Sequence, residues 1–226
     1  MKKNIIVISA HPDDEILGVG GTLIRHRNNG DNINWLIVTN ISEDEGYERN
    51  QVSDRQQEIK HVANELNANV IKLNYPTMQL HSKHIIELIP KISQIFTDIQ
   101  PDCIYVMNRS DAHSDHRIVF DAVIACTKSF RYPFIREIYM YECISETEFA
   151  PSLPEKVFIP NCFIDISDQI EEKIHLMKIY ETEMGEPPFP RSIENIKALA
   201  TYRGAVAGVK FAEAFQILKI LKIENL

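Results

Sequence analysis

Apolar residues along the chain fall into two alternating patterns. Continuous runs rich in Ile and Val stand at Asn4–Ala10, Ile33–Thr39, Val70–Leu73 and Cys103–Met107. A strand covered on both faces reads this way, without polar alternation. Between them lie longer amphipathic stretches. Ile16–Asn28 is closed by Asn29-Gly30, a helix-stop signal. Asn50–Asn67 gathers Ile59, Val62, Ala63 and Leu66 on one side, Ser82–Ile99 reads as a third helix, and Ser114–Ser129 gathers Ile118, Val119, Ala122, Val123 and Cys126. Strand and helix, four times in succession, predict βαβ crossovers and a parallel sheet.

The last third is less regular. Ile135–Tyr141 and Val157–Ile166 read as strands, and helices are expected at Gln169–Met184, Ser192–Ala200 and Ala212–Ile223. Pro151, Pro154, Pro187, Pro188 and Pro190 separate these pieces without the polar monotony of a linker. The expected fold is a single-domain, Rossmann-like α/β sandwich over residues 1–226. Its mostly parallel sheet has helices on both faces, with residues 131–226 completing a βα core at 1–130.

Composition narrows the function classes. With 44% hydrophobic and 25% charged residues among 226, the chain has the makings of a folded core. Its formal charge is 24 − 32 = −8, which disfavours nucleic-acid backbones and anionic membrane surfaces as partners. No apolar run reaches the ~18 residues of a membrane span. The run Ile5-Ile6-Val7-Ile8 is too short for a secretory leader and meets His11-Pro12-Asp13-Asp14-Glu15 where a cleavage site would stand. The expected compartment is therefore the cytoplasm. Cys103, Cys126, Cys143 and Cys162 form no CxxC pair and read as buried, reduced thiols.

The chemistry gathers at two strand ends. Open parallel sheets bind ligands beyond the carboxyl ends of their strands. After the first strand the chain reads Ser9-Ala10-His11-Pro12-Asp13-Asp14-Glu15, and after the fourth Asn108-Arg109-Ser110-Asp111-Ala112-His113-Ser114-Asp115-His116. Either segment alone could be an ordinary helix start, because aspartates cap helices and complement their dipoles. Together they bring three histidines and four aspartates to one sheet edge, the usual makings of a metal or catalytic site. A hydrolytic zinc centre needs about three N/O ligands and one open position. His11 and Asp14, three apart around a turn, and His116 from the other loop supply them. Asp13 is then placed to take a proton from the water at the open position. His113, one helical turn before His116, can reach the same pocket to stabilise an oxyanion or protonate a leaving amine. Asp115 is the natural partner to fix a histidine tautomer.

These residues carry a family resemblance. His11-Pro12-Asp13-Asp14-Glu15, then Gly18 and Gly20-Gly21-Thr22-Leu23, then His113-x-Asp115-His116, resemble the PIG-L/LmbE-like deacetylases. Those enzymes use a metal to remove acetyl groups from N-acetylglucosamine-containing substrates. Arg55-x-x-Glu58 matches the family's Arg-x-x-Glu. Pro190-Arg191-Ser192, Tyr202-Arg203-Gly204 and Gly208–Phe215 look like the C-terminal pattern of the bacillithiol-pathway branch. The resemblance implies His11, Asp14 and His116 as metal ligands, Asp13 as general base and His113 as stabiliser or acid. It further implies Arg55 as the holder of a sugar hydroxyl. Zinc is the expected metal, Fe2+ an alternative with the same ligands, and a small N-acetylated sugar the expected partner; relatives often form homo-oligomers. The chain departs from many relatives at Ser114, where they have Pro, and after the second strand, where Thr39–Gly46 lacks their early glycine.

Other readings fit less well. Gly18-Val19-Gly20-Gly21-Thr22-Leu23 is not the dinucleotide fingerprint G-x-G-x-x-G, and its glycines fall inside the expected helix, where close helix–sheet packing accounts for them. No G-x-S-x-G nucleophile elbow occurs. Two His and one carboxylate also make the facial triad of Fe(II) oxygenases, which generally use an all-β barrel. A non-catalytic metal- or sugar-binding module remains the alternative, although it has no need of Asp13 beside a filled ligand set.

Overall fold

The computed structural model describes Lys2–Lys222. One seven-stranded sheet organises it, with strand order β3-β2-β1-β4-β5-β7-β6. The strands are β1 (Asn4–Ser9), β2 (Asn32–Asn40), β3 (Ala68–Pro76), β4 (Cys103–Met107), β5 (Glu137–Tyr141), β6 (Cys162–Asp165) and β7 (Ala212–Ile220). The helices are α1 (Asp14–Asn28), α2 (Arg49–Leu66), α3 (His84–Ile99), α4 (Ser114–Ala125), α5 (Ile170–Met177) and α6 (Ile193–Ala207). Among the described residues no helix is long and apolar enough to cross a membrane.

Strands β1 to β5 pair in parallel, β1 lying between β2 and β4. Ile5 through Ile8 and Cys103 through Met107 are buried whichever way they point, so both faces of the sheet centre are covered. Helices α3 and α4 pack on each other, as do α1 and α5. The chain lays β1, β2 and β3 outward in one direction, then crosses back to place β4 on the other side of β1. The strand order therefore reverses between β1 and β4, and a crevice opens at their carboxyl ends. Both ligand-rich loops leave from those two ends.

The C-terminal third departs from the sequence reading. Ala212–Ile220 is a strand where a helix over Ala212–Ile223 is expected; Ile223 itself lies outside the described residues. Its Ala, Glu, Leu and Lys favour a helix locally, but β7 fills the gap between β5 and β6, antiparallel to both. Tertiary pairing outweighs a propensity worth tenths of a kcal/mol per residue. The expected strand Val157–Ile166 shrinks to Cys162–Asp165, preceded by a single 3-10 turn at Pro154–Lys156. The expected helix Gln169–Met184 ends at Met177, with a separate 3-10 turn at Glu181–Glu183. Helix α6 runs on past Ala200 to Ala207 and stops at Gly208, whose φ of 77° is the left-handed cap conformation.

The glycines of α1 are contact residues. A Cβ at Gly18 would lie 2.2 Å from the Tyr141 ring, and one at Gly21 2.6 Å from Ile166. Their absence lets the helix that begins at Asp14 sit directly on β5, next to the site. A buried ion pair anchors the same helix: Lys173 Nζ lies 2.6 Å from Glu213 Oε1 and donates to the Leu17 carbonyl. The Glu213 carboxylate accepts the Gly21 and Thr22 amides, each at 2.8 Å.

Candidate metal and catalytic site

The β1 loop turns sharply into α1. Asp13 precedes the helix with φ 130° and ψ −30°, a backbone conformation that non-glycine residues rarely adopt. Glu15 holds it there. Its Oε2 accepts the Asp13 amide at 3.1 Å, while Oε1 accepts the Tyr180 hydroxyl at 2.8 Å. Asp14 turns back instead, and its Oδ2 accepts the His11 amide at 2.8 Å. Adjacent aspartates thus face different ways because the backbone between them is bent.

The β4 loop brings in the second half. His113 caps α4, its Nδ1 accepting the Asp115 amide at 3.1 Å. His116 follows one turn later and is fully buried. Its Nδ1 donates to Asp111 Oδ2 at 2.8 Å, which leaves Nε2 facing Asp14 Oδ1 at 3.2 Å. No hydrogen bond of acceptable geometry satisfies that buried Nε2. His11 is held in the same manner: Asp115 Oδ2 lies 3.1 Å from its Nε2, so Nδ1 is directed to Asp14, at 3.8 Å from Oδ2. Asp115 is itself fixed by the Met78 and Leu80 amides.

A metal fits this donor set. One atom each from His11, Asp14 and His116 lie within 4.8 Å of one another. In both imidazoles the nitrogen away from Asp14 is already engaged by a carboxylate, the arrangement that orients metal-binding histidines. The buried, unpartnered His116 Nε2 is the atom such an ion would satisfy. His11, His113 and Asp115 form a second cluster at similar distances. There, however, the Asp115 carboxylate is already occupied by His11 and two amides.

The charges of the site are strongly coupled. Burial, with Asp14 and Glu183 beside it, lifts the Asp13 carboxyl well above its ordinary range. Burial would lift Asp14 too, but His116 and His11 outweigh it and hold that carboxylate below its usual range. Burial, with the Asp14 charge beside it, pushes Glu15 up to about 8 despite the hydrogen bonds it accepts. His116 goes the other way from what burial dictates, raised by Asp14 and Asp111. His113, buried and beside two other imidazoles, is lowered to about 4. At neutral pH its ring is therefore uncharged. Because Nδ1 accepts from a backbone amide, the proton resides on Nε2.

His11, Asp13, Asp14, His113, His116 and Glu183 line a cavity of about 520 Å³, while Asp111 and Asp115 stand behind the histidines and Glu15 and Tyr180 behind Asp13. Arg55 enters the cavity from α2, its side chain only 10% exposed. It is not the solvated surface residue that charge pattern alone allows, although it does pair with Glu58 at 3.2 Å. It also pairs with Glu183 and donates to the Pro12 carbonyl at 3.2 Å. The sequence pattern assigns no individual role to Asp111, Glu15, Tyr180, Glu183 or Arg191. Asp111 and Glu15 lie inside the quoted segments, so their position was a signal. Arg191 belongs to the Pro190-Arg191-Ser192 pattern, and Tyr180 and Glu183 come from the C-terminal third; only folding brings Glu183 and Arg191 to the cavity wall and Tyr180 to Glu15.

Residues 6–127 match the family model described as PIG-L, GlcNAc-PI de-N-acetylase. The chain is 29% identical over 163 residues to the uncharacterized deacetylase YaiS of Escherichia coli, covering 69% of this chain and 83% of that protein. It is 23% identical over 230 residues to the diacetylchitobiose deacetylase of Thermococcus kodakarensis, covering 96% and 83%. It also superposes on the 4-carboxy-2-hydroxymuconate hydratase GalB of Pseudomonas putida with a TM-score of 0.74 at 18% identity, over 100% of each chain. That last likeness shows the fold alone, a fold on which more than one reaction is built.

Proposed function

The chain belongs to the PIG-L de-N-acetylase family, and from that premise we propose that it is a zinc-dependent hydrolase removing the acetyl group from an N-acetylglucosamine-type substrate. The observation that carries this reading is the buried His116 Nε2. It has no hydrogen-bond partner and faces Asp14, with its sister nitrogen held by Asp111. His11, Asp14 and His116 would hold the ion. Fe2+ suits the same nitrogen and oxygen donors.

When bound there, the ion supplies Lewis acidity that polarises the substrate's amide carbonyl. Asp13, made a stronger base by surroundings that raise its pKa, accepts a proton from the attacking water in its ionised form. The same carboxyl then carries that proton for the leaving amine. His113 keeps a neutral ring with its proton on Nε2, so it donates a hydrogen bond to the developing oxyanion without itself ionising. Asp111 and Asp115 keep the two ligand imidazoles oriented. Arg55 offers a remaining guanidinium N–H to a sugar hydroxyl while Glu58, Glu183 and the Pro12 carbonyl hold the group in place. A purely binding module gives no account of Asp13, whose strained backbone costs about 1–3 kcal/mol and is held by Glu15.

The test is a panel of N-acetylglucosaminyl compounds scored for acetate and free amine, with a chelated control, beside the metal content of the purified protein. Acetate release that is lost on chelation and restored by zinc is the expected result. Protein that neither takes up zinc nor releases acetate overturns the reading. Turnover of an enol-acid substrate by hydration, without acetate release, would assign the chain to the other chemistry carried on this fold.

A further inference from the structure

Two arginines line the cavity, Arg55 from α2 and Arg191 from the segment before α6. Neither is free. Arg55 pairs with Glu58 and Glu183. Arg191 donates through Nε to the Glu183 carbonyl at 2.6 Å, through Nη2 to Glu183 Oε2 at 3.0 Å, and through Nη1 to Ser145 Oγ at 2.9 Å. One carboxylate, Glu183, thus bridges both guanidinium groups.

The charge balance of the wall follows. Beyond Asp13 and Asp14 the cavity is lined by four carboxylates, Asp54, Glu58, Glu146 and Glu183, against those two arginines. The wall is left two charges negative. A substrate carboxylate would have to take a guanidinium from Glu183, leaving that half-buried carboxylate unpaired, and such an exchange is costly away from bulk water. Hydroxyl groups meet the opposite situation. Asn40 Oδ1 is a buried acceptor on the same wall with no hydrogen bond aimed at it, and Glu58 Oε2, ion-paired with Arg55 Nε at 3.2 Å, keeps a lone pair for a further donor. Both suit an uncharged donor such as a sugar hydroxyl.

We infer that Glu183 sets the charge selectivity of this pocket: by occupying Arg55 and Arg191 it admits N-acetylated sugars with an uncharged aglycone and disfavours those whose aglycone carries carboxylates. The inference rests on the deacetylase reading for its reaction, but the charge preference has its own measurement.

The experiment compares a methyl N-acetylglucosaminide with an N-acetylglucosaminide whose aglycone carries two carboxylates. Acetate release gives kcat/KM for each, and calorimetry gives Kd for the two corresponding deacetylated glycosides. The expected result is at least about a tenfold preference for the uncharged compound, narrowing as salt screens the wall. In Glu183→Gln, which keeps shape and removes the charge, that preference falls or reverses. The salt series on the wild-type protein serves even if the variant is unstable. If the dicarboxylate is bound or turned over as well as the uncharged compound, the inference is overturned while deacetylation stands. If neither releases acetate yet the uncharged glycoside binds more tightly, the reaction assignment falls and the charge selectivity stands.

Discussion

His116 donates to Asp111 at 2.8 Å through one ring nitrogen and turns the other, fully buried, toward Asp14 at 3.2 Å. On the proposed ligand set, a carboxylate behind each imidazole would make metal binding sensitive to residues outside the coordination sphere. Asp111→Asn should weaken zinc affinity by roughly 10–100-fold, the usual cost of removing such an orienting partner. Asp115→Asn should do the same through His11. His116→Ala should lower metal content more than His113→Ala. Zinc titration of the four variants checks this, and wild-type affinity in Asp111→Asn would refute the orienting role.

Adjacent aspartates should fail in different ways. Asp13→Asn leaves the three proposed ligands in place, so metal content should stay near wild type while turnover drops by ~10²–10⁴. Asp14→Asn removes an anionic ligand, so metal itself should be lost, with partial rescue by excess zinc. Elemental analysis beside turnover at saturating zinc separates them. Loss of metal in Asp13→Asn with retention in Asp14→Asn would mean that the two roles are exchanged.

The buried pair Lys173–Glu213 should be costly to halve. Lys173→Met leaves the Glu213 carboxylate among buried groups with only amide and hydroxyl donors, a loss of about 3–5 kcal/mol. The double variant Lys173→Met/Glu213→Gln removes both charges and should recover part of that loss. Urea unfolding of the two proteins decides; equal destabilisation would show that the stranded charge is not the cause.

Gly18→Ala should destabilise, because the new Cβ meets the Tyr141 ring at 2.2 Å and the Glu142 carbonyl at 2.9 Å. Overpacking of this kind costs typically about 1–3 kcal/mol. Tyr141 is pinned by its own hydrogen bond to the Ile8 carbonyl, so it cannot simply swing aside. A thermal midpoint equal to wild type would contradict the contact.

One pH effect arises far from this site. His26, between Asp31 at 2.7 Å and the Tyr105 hydroxyl at 3.0 Å, has its pKa lowered, mainly by burial, against the support of Asp31 and with Lys3 and Glu137 nearby. The unfolded chain therefore binds this proton first as pH falls. Stability supplied by neutral His26 is present above the ordinary value of 6.5 and is lost as pH drops from there toward the lower folded value. Between pH 7 and 5 the thermal midpoint of His26→Gln should fall less than that of wild type. A parallel fall in both proteins would remove His26 as the cause.

The sequence alone determined which segments form the parallel core and which residues meet at its edge. Short continuous runs rich in β-branched Ile and Val read as strands covered on both faces, and four strand–helix alternations narrow the topology to a parallel sheet. The two polar loops then fall at one edge, so His11, Asp13, Asp14, His113 and His116 could be gathered without coordinates. The packing role of Gly18 and Gly21 was likewise readable, from their place inside a helix. What only the tertiary structure decided depends on contacts across long separations. Ala212–Ile220 becomes a strand because β5 and β6 flank it, against its local preference. Which histidine nitrogen is engaged depends on Asp111 and Asp115 reaching the rings in three dimensions. Glu183 and Arg191 enter the pocket from irregular segments whose path no periodicity encodes. Local patterns report burial, which is a property of each segment. The charge of a pocket wall is a property of several segments at once, and it exists only after they have folded together.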